Sequence, residues 1–277
     1  MNFFELLSYD FFQNALIGSL LASIACGIIG TYIVVRRLVF VSGGITHASL
    51  GGIGIGIFAG INPIFTALLF SILSAFGIEW LSLKQGIRED SAIAALWSLG
   101  MAIGIIFIYM TPGFATNISD YLFGNILTIS QLDIISLAVL SLVLIVLFVL
   151  FRREILYTAF DPDFAKTRNL PVNFIKYTMM MFIAITIVMS IRLVGIVLLM
   201  SILTIPQMTA NLFTSNFVKM IWLSVLIGFI GCIIGLFLSA LLDVPSGVFI
   251  IFTQIVAFLV LRYVVRLAQK RKQLSSL

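Results

Sequence analysis

Charge is what this sequence has least of. Only 10% of the 277 residues are Asp, Glu, Lys or Arg, while 61% are apolar. An ordinary soluble domain is about 25% charged and about 45–50% apolar. So little charge cannot cover a water-facing surface, and so much apolar side chain excludes a disordered chain. Other absences narrow the chemistry. There is one histidine, His47, so the paired histidines of an HExxH zinc protease are excluded. No lysine follows a glycine, so the chain has no phosphate-binding GK[ST] loop and cannot hold ATP in that way. The two cysteines, Cys26 and Cys232, lie inside apolar runs, which excludes a disulfide framework. The first twelve residues carry Glu5 and Asp10 and no base, so the first apolar run is expected to be an uncleaved span and not a signal peptide.

What is present is apolar run after apolar run. A crossing helix needs about 20 apolar residues, because the hydrocarbon core is about 30 Å thick and each residue rises about 1.5 Å. Nine segments qualify: 11–35, 38–59, 64–83, 91–110, 132–151, 177–191, 193–213, 220–242 and 248–265. The pair 177–191 and 193–213 is the weakest. The first is short, and Pro206 removes a backbone donor in the second. The expected fold is therefore all-α, a polytopic membrane protein of eight or nine transmembrane helices. It forms one domain over residues 1–277, without a long linker or internal repeat.

The net charge of +5 is a matter of placement. With the Arg36–Arg37 turn in the cytoplasm, nine spans put fifteen bases inside and leave only Arg192 outside. This asymmetry is the positive-inside pattern, so the bases mark topology and not nucleic-acid binding. It places the N-terminus outside and the C-terminus in the cytoplasm. Two polar segments stand apart. Residues 121–129 read as a short interfacial helix. Residues 152–176 form the longest polar stretch, a loop suited to docking a partner.

Acids are nearly absent from the spans, and Glu79 lies close enough to a span end to snorkel. Proton-driven carriers keep buried carboxylates or bases as relays. Their scarcity points to a conduit powered from elsewhere. A membrane-embedded enzyme would need a converging nucleophile and base, and none is visible. Small residues are plentiful. Gly44, Ala48, Gly52, Gly56 and Gly60 recur every fourth residue, and the first span has similar rows. Such stripes let helix backbones approach in lipid, where the hydrophobic effect does not drive association. His47 lies among these glycines, with Ser42 and Thr46 as nearby oxygens and no bulky neighbour on its own helix. An ionisable side chain at membrane depth marks function, and imidazole is the commonest transition-metal ligand near neutral pH.

Six segments in order carry a resemblance: RRLVFVSGGITHASLGGIGIG at 36–56, REDSAIAALWSLGMAIG at 88–104, SDYLFGNIL at 119–127, FDPDFAKTRNLPV at 160–172, LVGIVLLMSILTIPQMTA at 193–210 and DVPSG at 243–247. Together they resemble the membrane permeases of ABC importers for divalent metals, the zinc/manganese/iron family, over nearly the whole chain. The resemblance implies a homodimer in the cell (inner) membrane and separate ATPase subunits on the cytoplasmic face. A lipoprotein or periplasmic protein would deliver the metal outside. It implies no resident cofactor, since the metal is cargo that binds transiently. It also implies that the turn at 205–219, with Pro206, Ala210 and Asn211, couples to the ATPase, with Phe160–Lys166 as a second contact. One departure matters. The family often has Asp one turn before the histidine, and here that position is Gly43. His47 from both protomers is then expected to form a weak site, completed by water or backbone oxygen. Nitrogen without carboxylate leans to zinc over manganese. Manganese or iron(II) import is the alternative, and a permease for haem or other metal chelates a more distant one.

Overall fold

A computed structural model of the chain describes residues 8–112, 118–124, 126, 129–242 and 244–275. Thirteen helices follow one another, with no strand among the described residues. They are α1 (Asp10–Val35), α2 (Val39–Ala59), α3 (Pro63–Gln85), α4 (Glu89–Met110), α5 (Ile118–Phe123), α6 (Gln131–Leu150) and α7 (Arg152–Phe160). Then come α8 (Pro162–Thr167), α9 (Val172–Val194), α10 (Ile196–Ile202), α11 (Ile205–Asn211), α12 (Phe217–Leu242) and α13 (Ser246–Ser275). Long helices are the expected outcome, because lipid offers no partner for a free backbone N–H or C=O. Eight of them, α1–α4, α6, α9, α12 and α13, are long and apolar enough to cross a membrane.

Local sequence sets the helix ends. Asn62 accepts from the Ile64 N–H at 2.9 Å just before Pro63, and Gly86 closes α3 in a left-handed turn. Ser130 and Asp133 form a reciprocal capping box at the start of α6. Asp161 accepts from the Phe164 N–H at 2.9 Å to start α8. The expected polar loop at 152–176 is thus folded into α7 and α8, and α9 already begins at Val172. The expected interfacial helix at 121–129 overlaps α5, which runs earlier, from Ile118 to Phe123. Residues 125, 127 and 128 of it lie outside the described ones.

The question of eight or nine crossings resolves in an unusual way. One end of the bundle gathers the bases. There the Arg36 guanidinium donates to the Ala159 carbonyl at 2.6 Å, and Asn211 lies beside Arg262 and Arg266. At the opposite end Arg192 pairs with Asp133 at 2.8 Å, and Gly195 meets Gly124. Gly247 lies nearby, its open side facing the Phe123 and Val194 carbonyls. The chain therefore passes from Gly195 at one end to Asn211 at the other within Ile196–Asn211, a shorter apolar stretch of two helices. Sixteen helical residues would span about 24 Å, less than the hydrocarbon core. That passage is feasible because protein encloses it: Leu199, Leu203, Gln207 and Ala210 are all fully buried. The ninth passage is a broken one, and the two termini of the described chain stand at opposite ends.

Packing follows the glycines, with one exception. Helices α2 and α4 run parallel with their backbones in near contact. A Cβ on Gly100 would lie 2.5 Å from the Ala48 Cα, and one on Gly104 would lie 2.5 Å from the Leu50 carbonyl oxygen. The row Gly44, Ala48, Gly52, Gly56 does not face one neighbour. Gly44 and Ala48 meet α4 at Ile93 and Gly100, whereas Gly52 and Gly56 meet α3 near Thr66. A step of four residues drifts about 40° around a 3.6-residue helix, so the stripe winds from one partner to the next. Gly60 is not part of it. It caps α2 at φ 67°, with no heavy atom within 4 Å of where a Cβ would stand. Its role is to end the helix and not to pack it.

Gly104→Val is expected to cost about 2–3 kcal/mol or more, because backbone and not a flexible side chain occupies the space. Gly60→Ala should cost only about 1 kcal/mol, the strain of a left-handed residue. Thermal unfolding in detergent of the two purified variants checks this order; equal losses would mean that α2 and α4 do not depend on the contact.

Candidate metal passage at His47 and the broken helix

His47 lies in the first half of α2 and is half-buried. The small residues around it leave its ring room, but the ring is not bare. The Trp97 indole of α4 stacks on it, with centroids 4.3 Å apart and planes within 6°. Trp97 is held in turn, because its Nε1–H donates to the Met101 Sδ at 3.0 Å, one turn along α4. The close approach of α2 and α4 places this pair, since Trp97 lies one turn before Gly100. One face of the imidazole is covered and its orientation is set, while both ring nitrogens lie in the ring plane and stay chemically available.

The two hydroxyls expected near His47 are directed elsewhere. Thr46 Oγ1 donates to the Ser42 carbonyl at 2.7 Å, and Ser42 Oγ donates to the Val39 carbonyl at 2.8 Å. Both side chains are fully buried against their own helix. Gly43 is the informative neighbour. A Cβ at this position would lie 2.6 Å from the Met200 Sδ, so the thioether of α10 occupies the space that a side chain at 43 would take. Among the described residues no group of three or more His, Cys, Asp and Glu side chains converges on a common point.

The broken passage α10–α11 runs beside this site. Gly195 starts it at φ 84°, φ being positive where only glycine is unstrained, with its Cα pressed on the backbone of Gly124. Leu203 and Thr204 separate α10 from α11, and Pro206 stands in the first turn of α11, where its missing N–H costs nothing. Gln207 locks α11 to α1. Its fully buried amide donates to the Cys26 carbonyl at 2.8 Å, in the gap left by Gly30. Of the three residues expected to couple to a partner, Pro206 and Ala210 are buried against α1 and α12, and only Asn211 is exposed.

Glu79 lines a polar cavity at the basic end with Tyr32, Arg36, Ser82, Glu89 and Lys176. It lies toward the basic end from His47, in a cavity shared with Leu38 before the first turn of α2. Sequence reasoning did not single out Trp97, Met200 or Gln207 for this site. For Trp97 a signal existed, the Trp–x–x–x–Met spacing on one face that spans Gly100. For Met200 and Gln207 none did, because their partners are 157 and 181 residues away.

Known proteins resemble this chain in sequence and fold. A model of the ABC 3 transport family matches residues 8–264. An uncharacterized membrane protein of Synechocystis is 40% identical over 256 residues, covering 92% of this chain and 91% of that protein. A manganese transport system membrane protein of Halalkalibacterium halodurans is 33% identical, covering 90% and 85%. A solved structure, the complex PsaBC of Streptococcus pneumoniae with a Fab, superposes with a TM-score of 0.83 at 30% identity, covering 92% of each chain. The nine passages, the eight long apolar helices and a family match over nearly the whole length lead to one conclusion: this chain belongs to the ABC 3 transport family, as a multi-pass membrane permease.

Proposed function

We propose that this chain is the membrane subunit of an ATP-driven importer that moves a divalent metal ion, zinc first, into the cytoplasm. The observation that carries this reading is His47. It is the sole histidine, half-buried and oriented by Trp97, in a chain that matches the permease family from residue 8 to 264. A conduit needs weak donors, so that each ion leaves as readily as it arrives. A neutral imidazole meets that need, since it adds no charge to hold a dication. The metal is substrate here, bound in passing, and no resident cofactor is needed.

Energy comes from a separate ATPase, in keeping with the missing phosphate-binding loop. The basic end faces the cytoplasm by the positive-inside rule, which puts the N-terminus outside and the C-terminus inside. Contact with the ATPase falls to exposed groups at that end: Asn211 and the segment up to Asn216, flanked by Arg262 and Arg266 of α13. Pro206 and Ala210 act from beneath, by setting the pose of α11. On the opposite side a metal-binding lipoprotein or periplasmic protein docks. Two copies of the chain form the working permease. Outward apolar side chains on α4 and α13, such as Tyr109, Phe252 and Leu259, are available to lipid or to the second copy.

Manganese is the second reading, because the Halalkalibacterium relative is named for manganese. Donor chemistry weighs for zinc: manganese suits oxygen donors, and His47 supplies nitrogen.

In proteoliposomes holding the permease, its ATPase and the loaded binding protein, His47→Ala is expected to lower zinc uptake at limiting zinc by at least about tenfold. Metal-stimulated ATP hydrolysis should fall with it. Undiminished uptake would remove His47 from the passage, and faster uptake of manganese than of zinc by the unaltered protein would favour the second reading. Reversing the flank with Arg262→Glu and Arg266→Glu should reduce copurification of the ATPase, most clearly at low salt, since exposed charges are screened over about 10 Å at 0.1 M. Retained copurification at every salt concentration would place the contact elsewhere.

A further inference from the structure

The space at Gly43 is filled, and what fills it is a metal donor. We propose that the Met200 thioether acts with the His47 imidazole as a paired nitrogen–sulfur site, which makes the passage selective for thiophilic divalent ions over manganese. This rests on the metal-import reading above and names its selectivity element.

Three observations support it. The Met200 Sδ lies 2.6 Å from the point where a Cβ of residue 43 would stand. Residue 43 is one turn before His47 on α2, and side chains four apart have Cβ atoms about 5–6 Å from each other. The sulfur is therefore held over the same stretch of helix surface as the imidazole. An ion shared by both would need them about 3–4.5 Å apart, given metal–nitrogen and metal–sulfur bonds of about 2.0–2.3 Å. Methionine has three rotatable bonds, so its sulfur can shift toward the imidazole without backbone motion. Neither group is locked away, because His47 and Met200 are both only half-buried.

The chemistry follows from the donors. Thioether sulfur is soft and uncharged, and imidazole is borderline and uncharged. Together they favour zinc or cadmium over manganese, and they contribute no net charge that would trap the ion. Trp97 and Met101 complete the setting from α4. The indole covers one imidazole face, and its N–H is already engaged by the Met101 sulfur. Met200 is thereby the thioether with no such engagement at this site among the described residues.

The test uses the permease–ATPase complex and cadmium as a thiophilic probe. Cadmium-edge X-ray absorption on the purified complex should show a sulfur contribution that falls in Met200→Leu, which keeps the side chain's bulk. The buried Cys26 and Cys232 stay in place throughout, so their contribution would be common to both. In proteoliposomes the ratio of cadmium to manganese uptake should fall about tenfold in Met200→Leu. The exposed Met110→Leu at the end of α4 serves as a control and should leave the ratio unchanged. A double variant, Gly43→Asp with Met200→Ala, replaces sulfur by a carboxylate in the same space and should raise manganese uptake. A sulfur signal that is absent from the unaltered complex, or that is undiminished in Met200→Leu, overturns the proposal, as does an unchanged uptake ratio. A lowered sulfur signal in Met200→Leu together with no uptake of any ion by the unaltered complex would sink the import reading and leave the nitrogen–sulfur site standing.

Discussion

The near contact of α2 and α4 is the constraint on which the rest of the structure depends. In lipid, two helices gain nothing by hiding apolar side chains from each other, since the tails around them are equally apolar. They gain by approaching until backbone meets backbone. Gly100 against Ala48 and Gly104 against Leu50 and Gly51 bring α2 and α4 to that limit. Once the contact is made, the positions of nearby groups follow. Ile93 lies over Gly44, and Trp97 lies over His47. An isolated imidazole on an apolar helix becomes a ring with a covered face and a set orientation.

The same principle of missing side chains shapes the broken passage. At Gly30 the space goes to the Gln207 amide, at Gly43 to the Met200 sulfur, and at Gly195 to the backbone of Gly124. Each glycine is a socket for a group from a distant part of the chain. This is why a stretch too short to cross lipid by itself can connect the two ends of the bundle. Its open backbone groups near Leu203 and Thr204 are enclosed by protein, and the Gln207 amide ties it to α1. A passage built from two short helices also joins the level of Met200 to the exposed end at Asn211 along one continuous segment.

Charge is used sparingly and almost wholly at the ends. Arg192, the lone base opposite the basic end, meets Asp133, which also caps α6, so one carboxylate ties α6 to α9. At the other end Arg36 donates to the Ala159 carbonyl in the last turn of α7. That contact fixes a segment which looked like a free polar loop and is in fact two short helices packed under the bundle.

Several features were legible in the sequence because they depend on one segment at a time. Apolar length sets the helices, the distribution of bases sets which ends belong together, and six short segments carry the family. Pro206 correctly marked the weak crossing, since proline acts on the backbone locally, whereas the run that looked short at 177–191 is the full-length helix α9, Val172–Val194. Three things needed the tertiary structure. A period of four cannot say which neighbour a small residue will meet, because the row winds around the helix, so Gly52 turned to α3 and Gly60 turned out to be a cap. Burial of Pro206 and exposure of Asn211 depend on what packs against α11. His47 takes its ring partner Trp97 from α4, and Met200 of α10 fills the space at Gly43, contacts made only when glycine sockets close on side chains far away in the chain. Sequence determined which chemistry could stand in this membrane; the packing of helices decided which side chains stand around His47 and Gly43.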